Sequence, residues 1–168
     1  MIIRDASDSD AEAIAAIYAH HVLNGTASYD LEPPPSGFHR DKLRSVLEAG
    51  WPYLVAEQDG AVAGYAYATQ IRPRAAYRFT AEDSIYVHPD HLRRGIGRTL
   101  LSTLLERSAE RGFRTMIAVI GGADPASIAL HSALGFVEVG RLRRVGFKFG
   151  RWLDSVYMQR DLPGAAKV

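Results

Sequence analysis

Ser84-Ile85-Tyr86-Val87-His88-Pro89-Asp90-His91-Leu92-Arg93-Arg94-Gly95-Ile96-Gly97-Arg98 reads as a strand, a turn and the opening of a helix. The strand is Glu82 to Val87, and Pro89-Asp90 turns the chain. Beyond it Ile96, Leu100, Leu101, Leu104 and Leu105 recur on one stripe, which predicts a helix over about 96–111. The joint between strand and helix has the physics of an anion site. The first amides of a helix lack intrahelical partners, and the dipole is positive at that end. Glycines let a ligand approach the backbone closely, and Arg93, Arg94 and Arg98 add charge. Taken alone, a G-x-G before a helix is equally an ordinary strand–helix turn with surface arginines. A dinucleotide fold is disfavoured, because its fingerprint occupies the first strand–helix turn and this one follows residue 90. A P-loop is absent, since no G-K-[ST] follows.

Toward the N-terminus, Ile2-Ile3-Arg4 is a short strand. Ser9 and Glu12 have capping-box spacing ahead of Ile14, Ile17, Tyr18 and Val22, so residues 8–23 read as a helix. Pro33-Pro34-Pro35 forbids regular structure. A second helix, about 38–49, carries Leu43, Val46 and Leu47 on one face. Tyr53–Glu57 and Ala61–Thr69 form a hairpin around Asp59-Gly60. Residues 70–81 are irregular, basic and aromatic. Toward the C-terminus, Met116–Ile120 is a buried strand, 125–134 a short helix and 136–144 a strand. Gly146 to Gly150 reads as a turn, Trp152–Gln159 as the last strand, and 162–168 as a frayed tail. The order predicts an α/β fold with a mixed sheet, in one domain spanning 1–168.

Composition narrows the function classes. The chain has 168 residues, a formal net charge of +1 and no cysteine. One well-buried core fits that length. The charge offers no global attraction to nucleic acid or to an anionic membrane. A disulfide framework, a thiolate metal site and a cysteine nucleophile are excluded. The first residues lack the basic start and apolar run of a signal peptide, and no stretch approaches the roughly 20 apolar residues of a membrane span. A cytoplasmic protein is expected. No metal is expected: His20-His21 diverge by about 100° on a helix, and no carboxylate set completes a site at His88 and His91. Ser127 and Ser132 near His131 lack the G-x-S-x-G elbow of a hydrolase.

The stretch from Tyr86 to Leu101 resembles the pyrophosphate motif [Q/R]-x-x-G-x-[G/A] of the GNAT acetyltransferases, with Arg93-Arg94-Gly95-Ile96-Gly97 matching and Leu92 at the leading Gln/Arg position. Asp124-Pro125-Ala126-Ser127 through Gly135-Phe136 resembles the second cofactor segment, N-x-x-S…G-F, with Asp124 replacing Asn. The two segments are one helix and one strand apart, as in the family. Within it, Arg72 to Glu82, Ala118 to Gly121 and Gly146-Phe147-Lys148-Phe149-Gly150-Arg151-Trp152 are similar to the phosphinothricin and methionine sulfone/sulfoximine acetyltransferase branch. The resemblance runs from Ile3 to about Leu162 and is weakest over 24–50.

That resemblance implies a GNAT fold, a mixed sheet splayed between its central strands and flanked by helices. It implies acetyl-CoA at Ile85, Tyr86, Val87, Arg93, Arg94, Gly95, Ile96, Gly97, Arg98, Asp124, Ser127 and His131. Acetyl transfer to the amine of an amino acid analogue follows, with Tyr29, Glu32, Arg72, Arg74, Tyr77, Thr80 and Phe147 lining the substrate side. The chemistry needs a base, because an amino acid arrives as ammonium. Glu82 is the candidate, the alternative being a surface ion pair with Arg78. His131 is the second candidate catalytic residue, with support or packing as alternatives. A strand N–H near Tyr86-Val87 is expected to face the oxyanion. The branch implies a homodimer, with hairpin 144–154 near the partner's pocket. The rivals are acetylation of a polyamine, an aminoglycoside or a peptide N-terminus, and a non-catalytic CoA sensor. Arg72, Arg74 and Arg78 argue against a cationic substrate. A nucleic-acid module is not expected.

Overall fold

Small residues and tyrosines divide the two faces of the central strands, and the helices sort accordingly. The computed structural model describes residues 1–164. In chain order its elements are β1 (Ile2–Asp5), α1 (Ala11–Asn24), α2 (Phe38–Glu48), β2 (Tyr53–Gln58), β3 (Ala61–Gln70) and β4 (Thr80–Val87). They continue as α3 (Ile96–Glu110), β5 (Thr115–Gly121), α4 (Pro125–Ala133), β6 (Val137–Lys148) and β7 (Arg151–Asp161). The seven strands form one sheet in the order β1-β2-β3-β4-β5-β7-β6.

One face packs α3. Its stripe Ile96, Leu100, Leu101, Leu104 and Leu105 lies against Leu54, Ala56, Ala66, Ala68 and Ala81. The strand side chains are short, so the helix approaches closely. A Cβ on Gly64 would stand 3.0 Å from the Tyr86 carbonyl oxygen and 3.2 Å from Leu100. The opposite face packs α1 and α2 through Ile14, Ile17, Leu43 and Val46 onto Tyr53, Val55 and Tyr65. Those tyrosines stack across strands, with the Tyr53 and Tyr67 rings 4.8 Å apart.

Every pairing is antiparallel except that of β4 with β5, which is parallel and short. Only Thr80, Ala81 and Glu82 pair, with Thr115, Met116 and Ile117. Beyond Glu82 the two strands part, and the sheet has an internal fork.

Several expectations are corrected. The N-terminal box is set two residues earlier, where the Asp10 carboxylate accepts from the Ser7 N–H at 2.8 Å; Ser9 and Glu12 do not form it. Leu47 is exposed rather than on the buried face of α2. The closing turn is Phe149-Gly150 alone, because Gly146 to Lys148 still pair with Leu153 to Arg151. Leu162 is not frayed. It is buried in the α3-side core, and its N–H donates to the Arg114 carbonyl at 2.9 Å. Residues 165–168 of the expected tail lie outside the described residues.

Candidate active site

The fork opens a groove along the β5 side of β4. One lobe, of ≈ 490 Å³, is lined by Glu82, Asp83, Ser84 and His131; the other, of ≈ 720 Å³, by Val87 and the residues opening α3. Ile85, Tyr86, Asp124 and Ser127 line both, so the lobes adjoin.

Strand alternation assigns the side chains of β4. Ala81, Ile85 and Val87 join the α3-side core, whereas Tyr86 packs on the α1 side. By the same period Glu82 and Ser84 face α1 and α2, and Asp83 faces α3 and α4. The backbone alternates too. The His88 N–H donates to the Ala63 carbonyl at 2.9 Å, and the Thr115 N–H to the Phe79 carbonyl at 3.2 Å. Even-numbered peptides of β4 therefore point at β3 and odd-numbered ones at β5. Where β5 has parted, the peptide groups of Ile85 and Val87 face the groove. The Tyr86 amide belongs to the β3 ladder, opposite Tyr65, which narrows the expected oxyanion donor to an odd-numbered residue. His21 of α1 steadies the far end, its imidazole Nε2 lying 2.8 Å from the Val87 carbonyl.

Glu82 is half-buried at the fork. It makes no hydrogen bond or ion pair among the described residues, and the ion pair with Arg78 is absent. Arg78 instead lies over the Phe79 ring, 4.4 Å from its centroid. Burial, and then the neighbouring Asp83 carboxylate, push the Glu82 carboxyl above its ordinary value, while Arg72 and Lys42 pull against them.

Asp83 makes a contact that the sequence did not reveal. Its Oδ2 is 2.9 Å from His131 Nε2, and the two side chains are 2% and 3% exposed. His131 Nδ1 lies 2.8 Å from the Ser127 carbonyl, which only an N–H can satisfy. The remaining ring nitrogen therefore shares a proton with Asp83. Burial opposes charge on the imidazole, but the hydrogen bond and the charge of Asp83 outweigh it, so His131 titrates above its ordinary value. Asp83 Oδ1 is buried without a hydrogen-bond partner among the described residues. The pair links α4 to β4 immediately past the last β4–β5 pairing.

At the other lobe, Gly95 caps α3 in the left-handed region, at φ 81°. The first carbonyl to accept within the helix is that of Gly95, from the Thr99 N–H at 3.0 Å. No carbonyl of the described residues receives the amides of residues 93–98. The Asp124 carboxylate caps α4 by accepting from the Ser127 N–H at 2.7 Å, a role that asparagine at this position would also fill.

The remaining candidates divide. Tyr29 lines the groove, but its hydroxyl is committed, donating to the Asp154 carbonyl at 2.8 Å and accepting from the Gly122 N–H at 3.1 Å. Its ring seats against Gly146, where a Cβ would come within 2.7 Å. Arg72 is exposed and lines neither lobe, but it reaches Glu82 with its charge. Thr80 is part-buried at the start of β4, while Glu32, Arg74, Tyr77 and Phe147 are exposed and line neither lobe. Lys42, which the sequence reading passed over, also reaches Glu82 with its charge from α2.

Residues 15–136 match the Acetyltransferase (GNAT) family. The chain belongs to the GNAT acetyltransferase family. The chain is 55% identical over 161 residues to a phosphinothricin N-acetyltransferase of Alcaligenes faecalis, covering 95% of this chain and 82% of that one. It is 40% identical to an L-methionine sulfoximine/L-methionine sulfone acetyltransferase of Salmonella typhimurium, covering 96% and 95%. The crystal structure of a GNAT phosphinothricin acetyltransferase from Sinorhizobium meliloti in complex with AcCoA superposes with a TM-score of 0.97 at 49% identity, covering 99% of this chain and 91% of that one. The forked sheet and the free amides opening α3 are thus features of a GNAT acetyltransferase.

Proposed function

We propose that this GNAT acetyltransferase moves acetyl from acetyl-CoA to the α-amine of a small amino acid analogue of the phosphinothricin, methionine sulfoximine or methionine sulfone type. The observation that carries the reading is Glu82, a half-buried carboxylate without a hydrogen-bond or ion-pair partner among the described residues, standing where β4 and β5 part. At the other end of the same groove lie the free amides of α3. Nothing lies within 4 Å of where a Cβ on Gly95 would be, so a phosphate can approach that turn. Similarity to the named acetyltransferases supports the substrate class.

Acetyl-CoA supplies an activated acyl carbon. The amides of residues 93–98, with Arg93, Arg94 and Arg98, would hold its phosphates. The peptide edge at Ile85 and Val87 would line the arm that carries the thiol. One of those N–H groups would donate to the carbonyl oxygen as it gains negative charge, in a site shielded from water. Glu82 takes the ammonium proton, directly or through one water, and its raised basicity suits that task. Arg72 pairs with the carboxylate of the substrate. Asp83 and His131 fix the mouth of the fork.

The β6–β7 hairpin favours a homodimer. Phe147, Phe149 and Trp152 are 56%, 55% and 61% exposed, with Leu142 and Val145 alongside. Apolar area of this kind on a hairpin beside the pocket supports an interface there. The reading places the enzyme in the cytoplasm, working as one domain per subunit on a small molecule, without metal, nucleic acid or membrane.

The test is thiol release from acetyl-CoA with three amine sets: methionine sulfone, methionine sulfoximine and phosphinothricin; spermidine and an aminoglycoside; and short peptides. Turnover confined to the first set supports the reading. Turnover on peptides or polyamines keeps the family and overturns the substrate class. CoA binding without turnover on any amine points to a sensor.

A further inference from the structure

Glu82 is approached by two cations from separate elements. Arg72 comes from the segment after β3, and its Nη1 donates to the neighbouring Ile71 carbonyl at 2.9 Å. Lys42 comes from α2. Its ammonium hangs 5.5 Å from the centre of the Tyr67 ring, and Tyr67 lies opposite Ser84, on the face that carries Glu82. Neither cation forms an ion pair among the described residues, although Arg4, Arg44, Arg107 and Arg141 all do. Lys42 is part-buried, and Tyr67 supports it by cation–π attraction. An ammonium held over Tyr67, with no ion pair among the described residues and its charge acting on Glu82, is a ready counter-charge for an anion.

The chemistry of an α-amino acid makes the position informative. Its amine nitrogen and carboxyl carbon are two bonds apart, so whatever binds the carboxylate must stand close to the group that takes the proton. Arg74 and Arg78 do not qualify. None of the four cations lines a lobe, but only Arg72 and Lys42 bring charge to Glu82; Arg78 is laid over Phe79.

We propose that Lys42 is a specificity-determining residue that, together with Arg72, clamps the anionic groups of the substrate beside Glu82 and so selects amines bearing a carboxylate. This rests on the proposed amino acid substrate. It adds a residue from α2 that engages the substrate and a consequence for the base. A bound carboxylate neutralises the two charges that otherwise hold Glu82 down, leaving Asp83 and burial to raise its basicity. Substrates with a carboxylate therefore strengthen their own base, and the matching carboxamides do not.

The experiment compares methionine sulfone with its α-carboxamide, for wild type, Lys42→Gln, Lys42→Arg and Arg72→Gln. The readout is kcat and KM from thiol release. The wild type is expected to prefer the carboxylate. In Lys42→Gln that preference should shrink about tenfold or more, as expected for loss of one charged hydrogen bond, mainly through KM for the acid. Lys42→Arg should restore most of it. Equal loss on acid and amide would assign Lys42 to packing on Tyr67 and overturn the proposal, as would an unchanged preference. If the wild type releases thiol with neither compound, the substrate class itself fails. Calorimetry of the two compounds against the CoA-loaded protein then still reads the clamp, and equal affinities for acid and amide would overturn it.

Discussion

Replacing His131 with leucine removes one half of a buried pair and leaves the other. The Asp83 side chain is 2% exposed, and its Oδ1 already lacks a partner. In His131→Leu neither carboxylate oxygen retains one. Breaking a buried pair from one side costs about 3–5 kcal/mol. The edge-on contact of the imidazole with Phe136, at 5.0 Å between ring centres, is lost as well. For a domain of this size each kcal/mol moves Tm by about 2–4 °C, so a fall of roughly 6–20 °C is expected. The double variant Asp83→Asn/His131→Leu, which removes the orphaned charge, should recover part of that loss, and the cycle reads the coupling. The pH dependence has a defined sign. His131 titrates above its ordinary 6.5 in the folded state, so the pair stabilises fully below that value. The contribution fades as pH rises through the folded pKa. Denaturant melts of wild type and variants between about pH 6 and 9 measure both effects. A single-variant loss under about 1 kcal/mol, or a pH slope that persists in the double variant, would refute the reasoning.

The base has its own pH signature. The acid limb of kcat/KM should lie above the ordinary carboxylate value of 4.5, because burial and Asp83 raise Glu82. A limb at or below that value would remove Glu82 from the role. Gly146→Ala places a Cβ about 2.7 Å from the Tyr29 ring. It should cost about 1–3 kcal/mol as an overpacked contact, measured by denaturation, and raise KM for the amine as Tyr29 shifts. Trp152→Asp, at a residue 61% exposed, should leave the fold intact by circular dichroism and halve the mass seen in sedimentation. An unchanged sedimentation coefficient would move the interface elsewhere.

What the sequence disclosed was local. The strand, turn and helix from Ser84 to Leu105 were legible because anion-binding amides, glycines and an apolar stripe follow one another along the chain. The fork was not legible in that sense. It depends on β5 pairing with only Thr80 to Glu82, which no residue pattern announces, and it was expected from the family resemblance. Asp83 was overlooked because Glu82 drew the chemistry. Yet strand alternation alone turns the two acids to opposite faces, and one of them meets a histidine 48 residues away. Lys42 is not legible from the apolar stripe of α2, because it stands outside Leu43 and Val46 and its relation to Glu82 is made across the face of the sheet. The basic segment 70–81 looked uniform in sequence, and all three of its arginines are exposed, but the structure separates them: Arg72 reaches Glu82 with its charge, Arg78 lies on Phe79, and Arg74 does neither. Leu162 looked like tail because Pro163-Gly164 and small residues follow it, and its contact with Arg114 is made through the backbone.

Acetyl transfer to an amino acid amine, with Glu82 as the base, is the step on which the proposed function turns. The most direct measurement is mass-spectrometric detection of N-acetylated methionine sulfone made from acetyl-CoA by wild type and by Glu82→Gln, with acetyl-CoA affinity measured alongside. The account predicts product from the wild type and a fall in kcat of about 10²–10⁴-fold in the variant, with acetyl-CoA affinity unchanged. Product formed at a similar rate by both proteins would contradict it.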